Sequence, residues 1–421
     1  MVELVERMLR QNPWWEGKKI EAIEGLKKRD LFEDILKYIS KKQILAIVGL
    51  RRVGKTILLL QLIAHLLKTV EPKRIMYFSF DELLAKDSNI IESVITTYEN
   101  EILRQELKDV YIFFDEINHI KDWQIFLKRF YDLNKNIKFI VSGSSSIEIK
   151  KAKESLAGRL FEFELKPLSF KEFLRLKGIE LKDLKLQQLT VKKELTKYLM
   201  YGGFPELLEE NNFEMCKKYV TSIVEKIIFS DIPKIYDVGE PELLKEIFNM
   251  IAKNPGSIIE YKNIASALKI SYQTVSKYIS YLEKAYLIKS LHNFRGSLVA
   301  MTRKLKKFYL FTHTLSLAVF DSEADILASM SKIVENAVIC HLNAKYFWRE
   351  YFELDIIYNK LPIEIKYGEL PDIKKNINAV KKLKLKDLVV VTKDIEKAEK
   401  RDGVSIKYIP LWKFLLKSLN S

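Results

Sequence analysis

Residues 49–56 constrain the fold of this chain more than any other segment. They read GLRRVGKT, which satisfies G-x4-G-K-S/T, and they lie between an apolar run at 44–50 and a helix predicted to begin near Lys55. In this context, successive backbone N–H groups and the helix N-terminus can surround a phosphate group. Gly49 and Gly54 permit the positive φ and the close backbone approach that such a loop requires. The segment therefore predicts a phosphate-binding loop.

The side chains of the loop predict that its ligand is ATP with Mg²⁺. The ammonium of Lys55 would lie between the β- and γ-phosphates, and the hydroxyl of Thr56 would ligate Mg²⁺. The predicted nucleotide-binding residues are the whole loop: Gly49, Leu50, Arg51, Arg52, Val53, Gly54, Lys55 and Thr56.

An acidic pair, Asp115-Glu116, follows the apolar run VYIFF at 110–114. A buried parallel strand would carry Asp115 to the carboxyl edge of the sheet, beside the phosphate loop, where it could hold Mg²⁺ through water. Glu116 could then polarise the attacking water, which favours hydrolysis over storage of the nucleotide. The alternative is that the pair simply caps a helix.

One further segment points to the same edge of the sheet, and another precedes the last predicted strand. Strand 138–144 ends in SGS, which includes Ser142 and Ser144, and the segment SLAGR at 155–159 brings Arg159. An arginine there could reach a γ-phosphate, in cis or from a neighbouring subunit, and stabilise the transferred charge. A surface ion pair is the alternative for Arg159.

Short apolar strands alternate with helices through the first 168 residues, and this alternation predicts an α/β fold with a parallel sheet covered on both faces. Residues 19–40 have helical spacing. We expect a helical appendage on this first domain at 169–240, a run of short helices at 241–295, and mixed strand and helix at 296–421.

The charge balance indicates an acidic partner. The 421 residues include 71 Lys+Arg and 56 Asp+Glu, a formal net charge of +15. This favours nucleic acid first and an anionic membrane surface second, while scattered solvated lysines are the alternative. No apolar run reaches the ~18 residues of a membrane span, so we expect a cytoplasmic protein with no membrane partner. The adjacent Trp14-Trp15 favours core packing over docking of a partner.

The successive motifs GLRRVGKT, FFDEIN, IVSGSSS, LAGR, LKPLSFKEFL and YGGFPELL resemble those of a large prokaryotic family of predicted AAA+ ATPases that carry a C-terminal domain of unknown function, number 4143. The resemblance implies a P-loop AAA+ domain with a helical lid, and the roles given above for Lys55, Thr56, Asp115 and Glu116. It also implies that Ser142 or Ser144 acts as the sensor and Arg159 as the finger. A homo-oligomer is a further expectation.

Residues 261–290 have the pattern of a helix-turn-helix within a winged-helix domain. Apolar residues recur at helical spacing on either side of a break at Ile270-Ser271, and Ser271 is a plausible N-cap. The second helix could enter a DNA groove or dock a protein instead. Tyr278 is expected to face solvent with the predicted DNA-contacting residues, which are Tyr272, Gln273, Lys277, Arg295, Arg303 and Lys304. Lys306 and Lys307 extend Arg303 and Lys304 into a basic cluster suited to phosphates.

The C-terminal part contains carboxylates at spacings that suggest a second metal site. Asp355 would end one strand of a hairpin, and Glu364 and Lys366 share a face of the next strand, because they are two residues apart. With Glu335 as a further acid, this set could bind Mg²⁺ for phosphodiester cleavage. The pattern resembles the PD-(D/E)xK fold of restriction endonucleases, with or without activity. A hairpin with a charged wet face is the alternative.

Two hypotheses follow. In the first, the chain couples Mg-ATP hydrolysis to DNA binding or remodelling through a winged helix and a nuclease-like C-terminal domain. In the second, it is a nucleotide-controlled switch or scaffold that binds a protein partner, without DNA or nuclease activity.

Overall fold

The computed structural model describes residues 2–81, 89–133, 136–144, 155–294, 305–368 and 372–417. The chain divides into two compact units, Met1–Lys166 and Pro167–Ser421. The predicted four-part division remains a prediction. The helices expected as an appendage on the first domain belong to the second unit.

The first unit contains a five-stranded parallel sheet in the order β2-β3-β4-β1-β5. Residues of the inner strands β1 and β4 are buried along their whole length, because both faces of the sheet are covered. The predicted parallel α/β fold is confirmed for this unit. The strands are β1 Ile44–Val48, β2 Ile75–Ser79, β3 Val110–Asp115, β4 Ile137–Gly143 and β5 Leu160–Glu164.

The helices of the first unit flank this sheet. Where helical spacing covers 19–40, the structure has a short 3-10 turn at Glu21–Ile23 and a separate helix at Leu31–Leu36, with Gly25 between them at φ 71°. A residue in the left-handed region ends a helix, so the single long helix is not formed. The α-helices are α1 Val2–Gln11, α2 Leu31–Leu36, α3 Lys55–Leu66, α4 Ile90–Thr97 and α5 Trp123–Asp132.

The outer edge of β2 is covered by side chains from the N-terminal segment, residues 11–15, which we call the N-terminal clasp. Edge strands expose unpaired N–H and C=O groups, and these must find partners. The clasp side chains take the place of a neighbouring strand. The hydrogen bonds run from Trp14 Nε1 and Trp15 Nε1 to Ile75 O (3.0 and 2.9 Å), from Asn12 Nδ2 to Tyr77 O (2.8 Å), from Tyr77 N to Asn12 Oδ1 (2.6 Å) and from Ser79 N to Gln11 Oε1 (3.0 Å).

The second unit contains two sheets. A mixed five-stranded sheet has the order β10-β11-β12-β14-β13, and a four-stranded sheet has the order β7-β6-β8-β9. The second sheet crosses the predicted domain boundary at 295/296, since β6 pairs with both β7 and β8. The strands are β6 Ile288–Asn293, β7 Lys306–Leu310, β8 Tyr346–Arg349, β9 Glu353–Leu354, β10 Ile356–Tyr358, β11 Leu361–Lys366, β12 Asp387–Thr392, β13 Lys397–Arg401 and β14 Val404–Pro410.

Helices precede and surround these sheets. The first begins at a capping box formed by Ser169 and Glu172, which is a local start signal of the sequence. The segment around Tyr198 and Gly203 packs against residues 313–314 of this unit. His313 Nε2 lies 2.8 Å from Tyr198 O, and Gly203 N donates to Thr314 Oγ1 at 2.9 Å. The α-helices are α6 Phe170–Leu176, α7 Gln188–Tyr201, α8 Phe213–Lys226, α9 Ile232–Ile235, α10 Pro241–Lys253, α11 Tyr261–Leu268, α12 Tyr272–Lys284, α13 Glu323–Ala328, α14 Met330–Leu342, α15 Lys374–Lys382 and α16 Leu411–Leu416.

None of the helices in the described residues is long and apolar enough to span a lipid bilayer.

Candidate functional site

The phosphate loop leaves the carboxyl end of β1 and leads directly into α3. Gly49 is required by a close approach, because a Cβ atom there would lie 2.3 Å from the carbonyl oxygen of Leu165. Gly54 precedes α3 at φ 98°. Arg29 supports the loop, because its guanidinium donates to the carbonyl oxygens of Val53 and Lys166 at 2.7 Å each. The loop therefore has a fixed backbone, with the N-terminus of α3 at its end.

Lys55 is buried and lies between the loop and the acidic pair. Its Nζ donates to the carbonyl oxygens of Gly49 and Leu50, at 3.2 and 3.3 Å, and lies 3.6 Å from Glu116 Oε1. The structure thus brings Lys55 and Glu116 together at the carboxyl edge of the sheet, as the spacing of the motifs predicts. The side chains of Leu50 and Val53 are fully buried, so these two residues can offer a ligand only their backbone.

Asp115 is held by three hydroxyl groups. Thr56 Oγ1 and Tyr77 Oη donate to its Oδ2 at 2.7 and 2.9 Å, and Ser142 Oγ donates to its Oδ1. A hydroxyl and a carboxylate side by side form the hard oxygen set that Mg²⁺ prefers. Thr56 and Asp115 therefore fit the ion that the loop implies.

Glu116 lies next to Asp115 in the left-handed region, at φ 51°. Its backbone N donates to Ser142 Oγ at 3.1 Å, and its Oε2 accepts from Ser144 N at 3.2 Å. A non-glycine residue in this conformation is uncommon and costs conformational energy. These contacts hold the Glu116 carboxylate on the loop side of the sheet edge.

The pKa values of the two carboxyl groups are shifted in opposite directions. Burial raises the pKa of Asp115, with a smaller contribution from Glu116, although the three hydroxyl groups act in the other direction. Burial is the largest influence on Glu116 and acts to raise its pKa, but Lys55, His119, Ser144 and Arg51 together outweigh it, so this pKa is lowered. Glu116 is thus the stable anion of the pair, and pairs of groups with divergent pKa values are typical of active sites.

Arg159 lies at the opposite edge of the sheet from the phosphate loop. Its carbonyl oxygen accepts from Ile44 N, at the amino end of β1. Its guanidinium pairs with Asp132, the Nε to Oδ1 distance being 2.9 Å. Since β1 separates Arg159 from Gly49, the structure does not bring Arg159 to the loop of its own chain. A role in a neighbouring subunit remains a prediction.

Sequence reasoning missed two residues of this site, Tyr77 and Arg29. Tyr77 is the polar position of the apolar run RIMYFSF and bonds to Asp115, while Arg29 supports the loop from a segment with no recognisable motif. A tyrosine inside an otherwise apolar strand was the available signal, because a buried phenol needs a hydrogen-bond partner. Arg29 offered none.

The second unit brings the predicted C-terminal residues together. Ile365 N donates to Asp355 Oδ2 at 2.9 Å, Asp355 N lies 3.4 Å from Glu364 Oε2, and Lys366 Nζ lies 2.8 Å from Glu364 Oε1. Asp355, Glu364 and Lys366 line a cavity of about 410 Å³. Burial, and after it the neighbouring Asp355, raises the pKa of Glu364.

Lys307, on β7, enters this group. Its expected place in an exposed basic cluster for phosphates is wrong, because its side chain is buried among carboxylates. Its Nζ lies 2.5 Å from Glu353 Oε1 and 3.9 Å from both Glu335 Oε1 and Asp355 Oδ1. We call Glu335, Glu353, Asp355 and Glu364, with Lys307 and Lys366, the carboxylate cluster. Within the residues that the structure describes, no group of three or more His, Cys, Asp or Glu side chains could hold a metal ion. The predicted Mg²⁺ site of Asp355 and Glu364 stays a prediction.

The helix pair α11 and α12 precedes the antiparallel hairpin β6–β7. Ser271 caps α12 as its sequence suggests, since its Oγ accepts from Thr274 N at 3.0 Å. Tyr272, Gln273 and Lys277 are exposed along α12. Tyr278 is buried, so the expectation that it faces solvent is wrong: its position falls on the apolar stripe of the helix with Val275.

Three other predicted DNA contacts, Arg295, Arg303 and Lys304, lie outside the described residues. Among the predicted DNA contacts that the structure describes, the exposed ones lie in the first half of α12. A role in binding nucleic acid remains a prediction for all six residues.

One comparison with known proteins covers the part of the chain that contains the loop and the acidic pair. The family model of an AAA domain matches residues 41–174. This AAA domain includes the phosphate loop, Asp115, Glu116 and Ser142, so the predicted AAA+ resemblance is confirmed for this segment. A second model, described as Domain of unknown function (DUF8612), matches residues 192–325. The resemblance to domain of unknown function 4143 is not confirmed.

Two relatives come from the archaeon Methanocaldococcus jannaschii. Uncharacterized protein MJ1637 is 28% identical, and the alignment covers 66% of this chain and 63% of the relative. Uncharacterized protein MJ1544 is also 28% identical, with 98% of this chain and 97% of the relative covered. The chain thus spans less than two thirds of the first relative and nearly all of the second.

Two solved structures are distantly similar. The Aeropyrum pernix ORC1 protein in complex with DNA has a TM-score of 0.30 and 15% identity, covering 71% of this chain and 93% of that chain. AMPPCP-bound DnaA from Aquifex aeolicus has a TM-score of 0.26 and 15% identity, covering 60% and 86%.

Proposed function

We propose that this protein hydrolyses ATP with Mg²⁺ in its AAA domain and couples the turnover to binding of DNA. The observation that carries the ATPase part is the contact between two motifs that lie about 60 residues apart: Thr56 bonds to Asp115 at 2.7 Å, and Lys55 lies 3.6 Å from Glu116. Loop, hydroxyl, lysine and acidic pair meet at one edge of the sheet, as phosphoryl transfer requires.

The residues have separate roles in this proposal. The backbone N–H groups of the loop and Lys55 bind the phosphates of ATP, and Thr56 and Asp115 would hold Mg²⁺, which neutralises charge on the phosphate oxygens. Glu116 accepts a proton from the attacking water as that water bonds to the γ-phosphorus, and ADP leaves with the bridging oxygen. Its lowered pKa keeps Glu116 ionised at neutral pH, which a proton acceptor requires.

Two variants separate nucleotide binding from hydrolysis. Lys55→Ala should abolish turnover, because the buried ammonium between loop and Glu116 is lost. Glu116→Gln should keep ATP binding but lower turnover by about 100- to 10,000-fold, the usual contribution of a positioned base. Lys41→Ala is the matched control, since Lys41 is exposed. ATPase measurements on the full chain that find Lys55→Ala as active as Lys41→Ala would reject the proposal.

The DNA part depends on charge and exposure. The net charge of +15 favours an anionic partner. The first half of α12 exposes Tyr272, Gln273 and Lys277, a stacking group, an amide and a cation. These side chains suit contacts to phosphates more than reading of base edges, so binding would depend strongly on salt and weakly on sequence.

A labelled duplex tests this part. At ~50 mM salt the wild-type protein should bind this duplex. Lys277→Ala should reduce the slope of log K against log salt concentration by about 1, which corresponds to the loss of one phosphate contact. Lys226→Ala, which removes an exposed lysine from α8, is the control. If the wild-type protein binds no duplex at this salt, the DNA part fails, and the nucleotide-controlled scaffold for a protein partner becomes the better proposal.

We propose the PD-(D/E)xK-like fold for the C-terminal part on the basis of its mixed sheet, in which antiparallel β10–β11 is followed by α15 and the parallel strand β12.

A further inference from the structure

We infer that the ammonium of Lys307 is the resident cation of the carboxylate cluster, so that the cluster holds no divalent metal ion while Lys307 is in place. This inference is independent of the proposed ATP hydrolysis, since it concerns only the second unit.

The position of Lys307 is fixed by its strand. β7 pairs with β6 over five residue pairs, and the Lys307 side chain is only 5% exposed. Tyr309, two residues further on and therefore on the same face, donates from its hydroxyl to Glu335 Oε1 at 2.6 Å. One face of β7 thus delivers both an ammonium and a hydroxyl to the acidic groups. A flexible surface lysine would not be held in this way.

Each carboxylate of the cluster already has a donor from the chain. Glu353 pairs with Lys307, Glu335 accepts from Tyr309, Asp355 accepts from Ile365 N at 2.9 Å, and Glu364 pairs with Lys366 at 2.8 Å. A buried charge is stable only when it is paired and hydrogen-bonded. Each acid thus has at least one partner from the chain, with two ammonium groups facing four carboxyl groups.

A divalent ion would have to compete with these contacts. Mg²⁺ requires oxygen ligands at about 2.0–2.1 Å in a nearly octahedral arrangement. Asp355 is one of the predicted metal ligands, and its Oδ1 already has the Lys307 ammonium 3.9 Å away. A metal ion on that oxygen would lie close to a buried positive charge, and the two would repel each other where little water screens them. Lys307 therefore disfavours the predicted metal site.

Mn²⁺ binding, followed by electron paramagnetic resonance on the nucleotide-free full chain, tests the inference. The wild type and Asp355→Asn should bind Mn²⁺ equally. Lys307→Met should gain one Mn²⁺ ion, bound at least about tenfold more tightly than any in the wild type, because a buried repulsive charge is removed. The double variant Lys307→Met with Asp355→Asn should lose that ion again. Lys306→Met, which changes the neighbouring residue on the other face of β7, should behave as the wild type.

The inference is overturned if the wild type binds a Mn²⁺ ion that Asp355→Asn loses, or if folded Lys307→Met gains none. If Lys307→Met does not fold, the comparison of the wild type with Asp355→Asn decides alone: equal binding supports the inference and unequal binding overturns it. The assay contains no nucleotide, so a failure of the ATPase proposal would not change its result.

Discussion

Replacing Asn12 with alanine should destabilise the first unit strongly, although Asn12 lies outside every motif. Its side chain is fully buried and makes three hydrogen bonds, two of them to the backbone of Tyr77 on β2. Asn12→Ala leaves the N–H and the C=O of Tyr77 without partners. At roughly 1–2 kcal/mol for each orphaned group, the free energy of unfolding should fall by about 2–4 kcal/mol.

Hydrogen exchange detected by mass spectrometry measures this loss where it occurs. A chain of two units does not unfold in a single two-state step, so a global melting curve is a poor readout. For peptides that span β2, a loss of about 2–4 kcal/mol corresponds to exchange roughly 30- to 1,000-fold faster. Asn211→Ala, at an exposed residue of the second unit, is the control. Exchange within threefold of the wild type would refute the idea that Asn12 replaces a strand partner.

A second variant at this position adds a pH test. Asn12→Asp keeps an acceptor for Tyr77 N but turns a carboxylate oxygen toward the carbonyl oxygens of Met8 and Tyr77, to which Asn12 Nδ2 donates at 2.7 and 2.8 Å. The protonated acid can donate there, so the folded-state pKa of the new carboxyl group lies above its unfolded value. Stability gained from that proton is present at low pH and lost as the pH rises through the folded pKa. We expect Asn12→Asp to be closer to the wild type at pH 5 than at pH 7, and a pH-independent difference would contradict this.

Three more predictions concern other buried groups. Tyr77→Phe removes one hydrogen-bond donor to Asp115. In calorimetry, the affinity for Mg-nucleotide should fall severalfold, while the affinity for nucleotide without Mg²⁺ should change little. Equal losses of affinity in both measurements would contradict the role given to Asp115. Because burial raises the pKa of Asp115, stability is lost as the pH rises through that pKa. In the nucleotide-free protein, peptides that span β3 should therefore exchange hydrogen more slowly in Asp115→Asn than in the wild type at pH 8, and at nearly equal rates at pH 4; a pH-independent difference would count against the argument. Burial raises the pKa of Cys216 to about 12, so in the native protein at pH 8 this thiol should resist Ellman's reagent. The native Cys216→Ser variant should therefore show the same number of reactive thiols per chain as the wild type. A value lower by one equivalent would contradict the burial of Cys216.

The first unit could be predicted largely from the sequence because its signals are local. A buried strand, a glycine loop and a helix fix the phosphate loop, and parallel strands bring their carboxyl ends to one edge, which brings Asp115 to Thr56. Arg159 could not be located in this way. It precedes β5 and therefore lies at the amino edge of the sheet, beside Ile44. The available signal was that Arg159 comes before a strand, whereas Asp115 ends one, and the order of the motifs obscures this difference.

Lys307 was placed wrongly for a different reason. The sequence pattern of Asp355, Glu364 and Lys366 is confined to one hairpin and the strand order there follows from it, whereas Lys307 comes from β7 of the other sheet of that unit. The contact between them depends on tertiary packing, and no spacing along the chain encodes it. Tyr278 was also placed wrongly from the sequence. On a helix, a shift of one residue moves a side chain from the solvent-exposed face to the buried face, and Tyr278 lies on the buried face.

The two acidic sites differ in the kind of donor that faces them, and this difference separates their chemistry. Asp115 is held by hydroxyl groups, which carry no net charge and can rotate to accept or donate. A cation that arrives with a nucleotide would therefore meet no fixed positive charge from these three partners. Asp355 instead has a lysine ammonium 3.9 Å away that belongs to the chain itself. The first arrangement suits a cation that arrives and leaves with the nucleotide, and the second suits an ion-pair centre built around a cation of the chain itself.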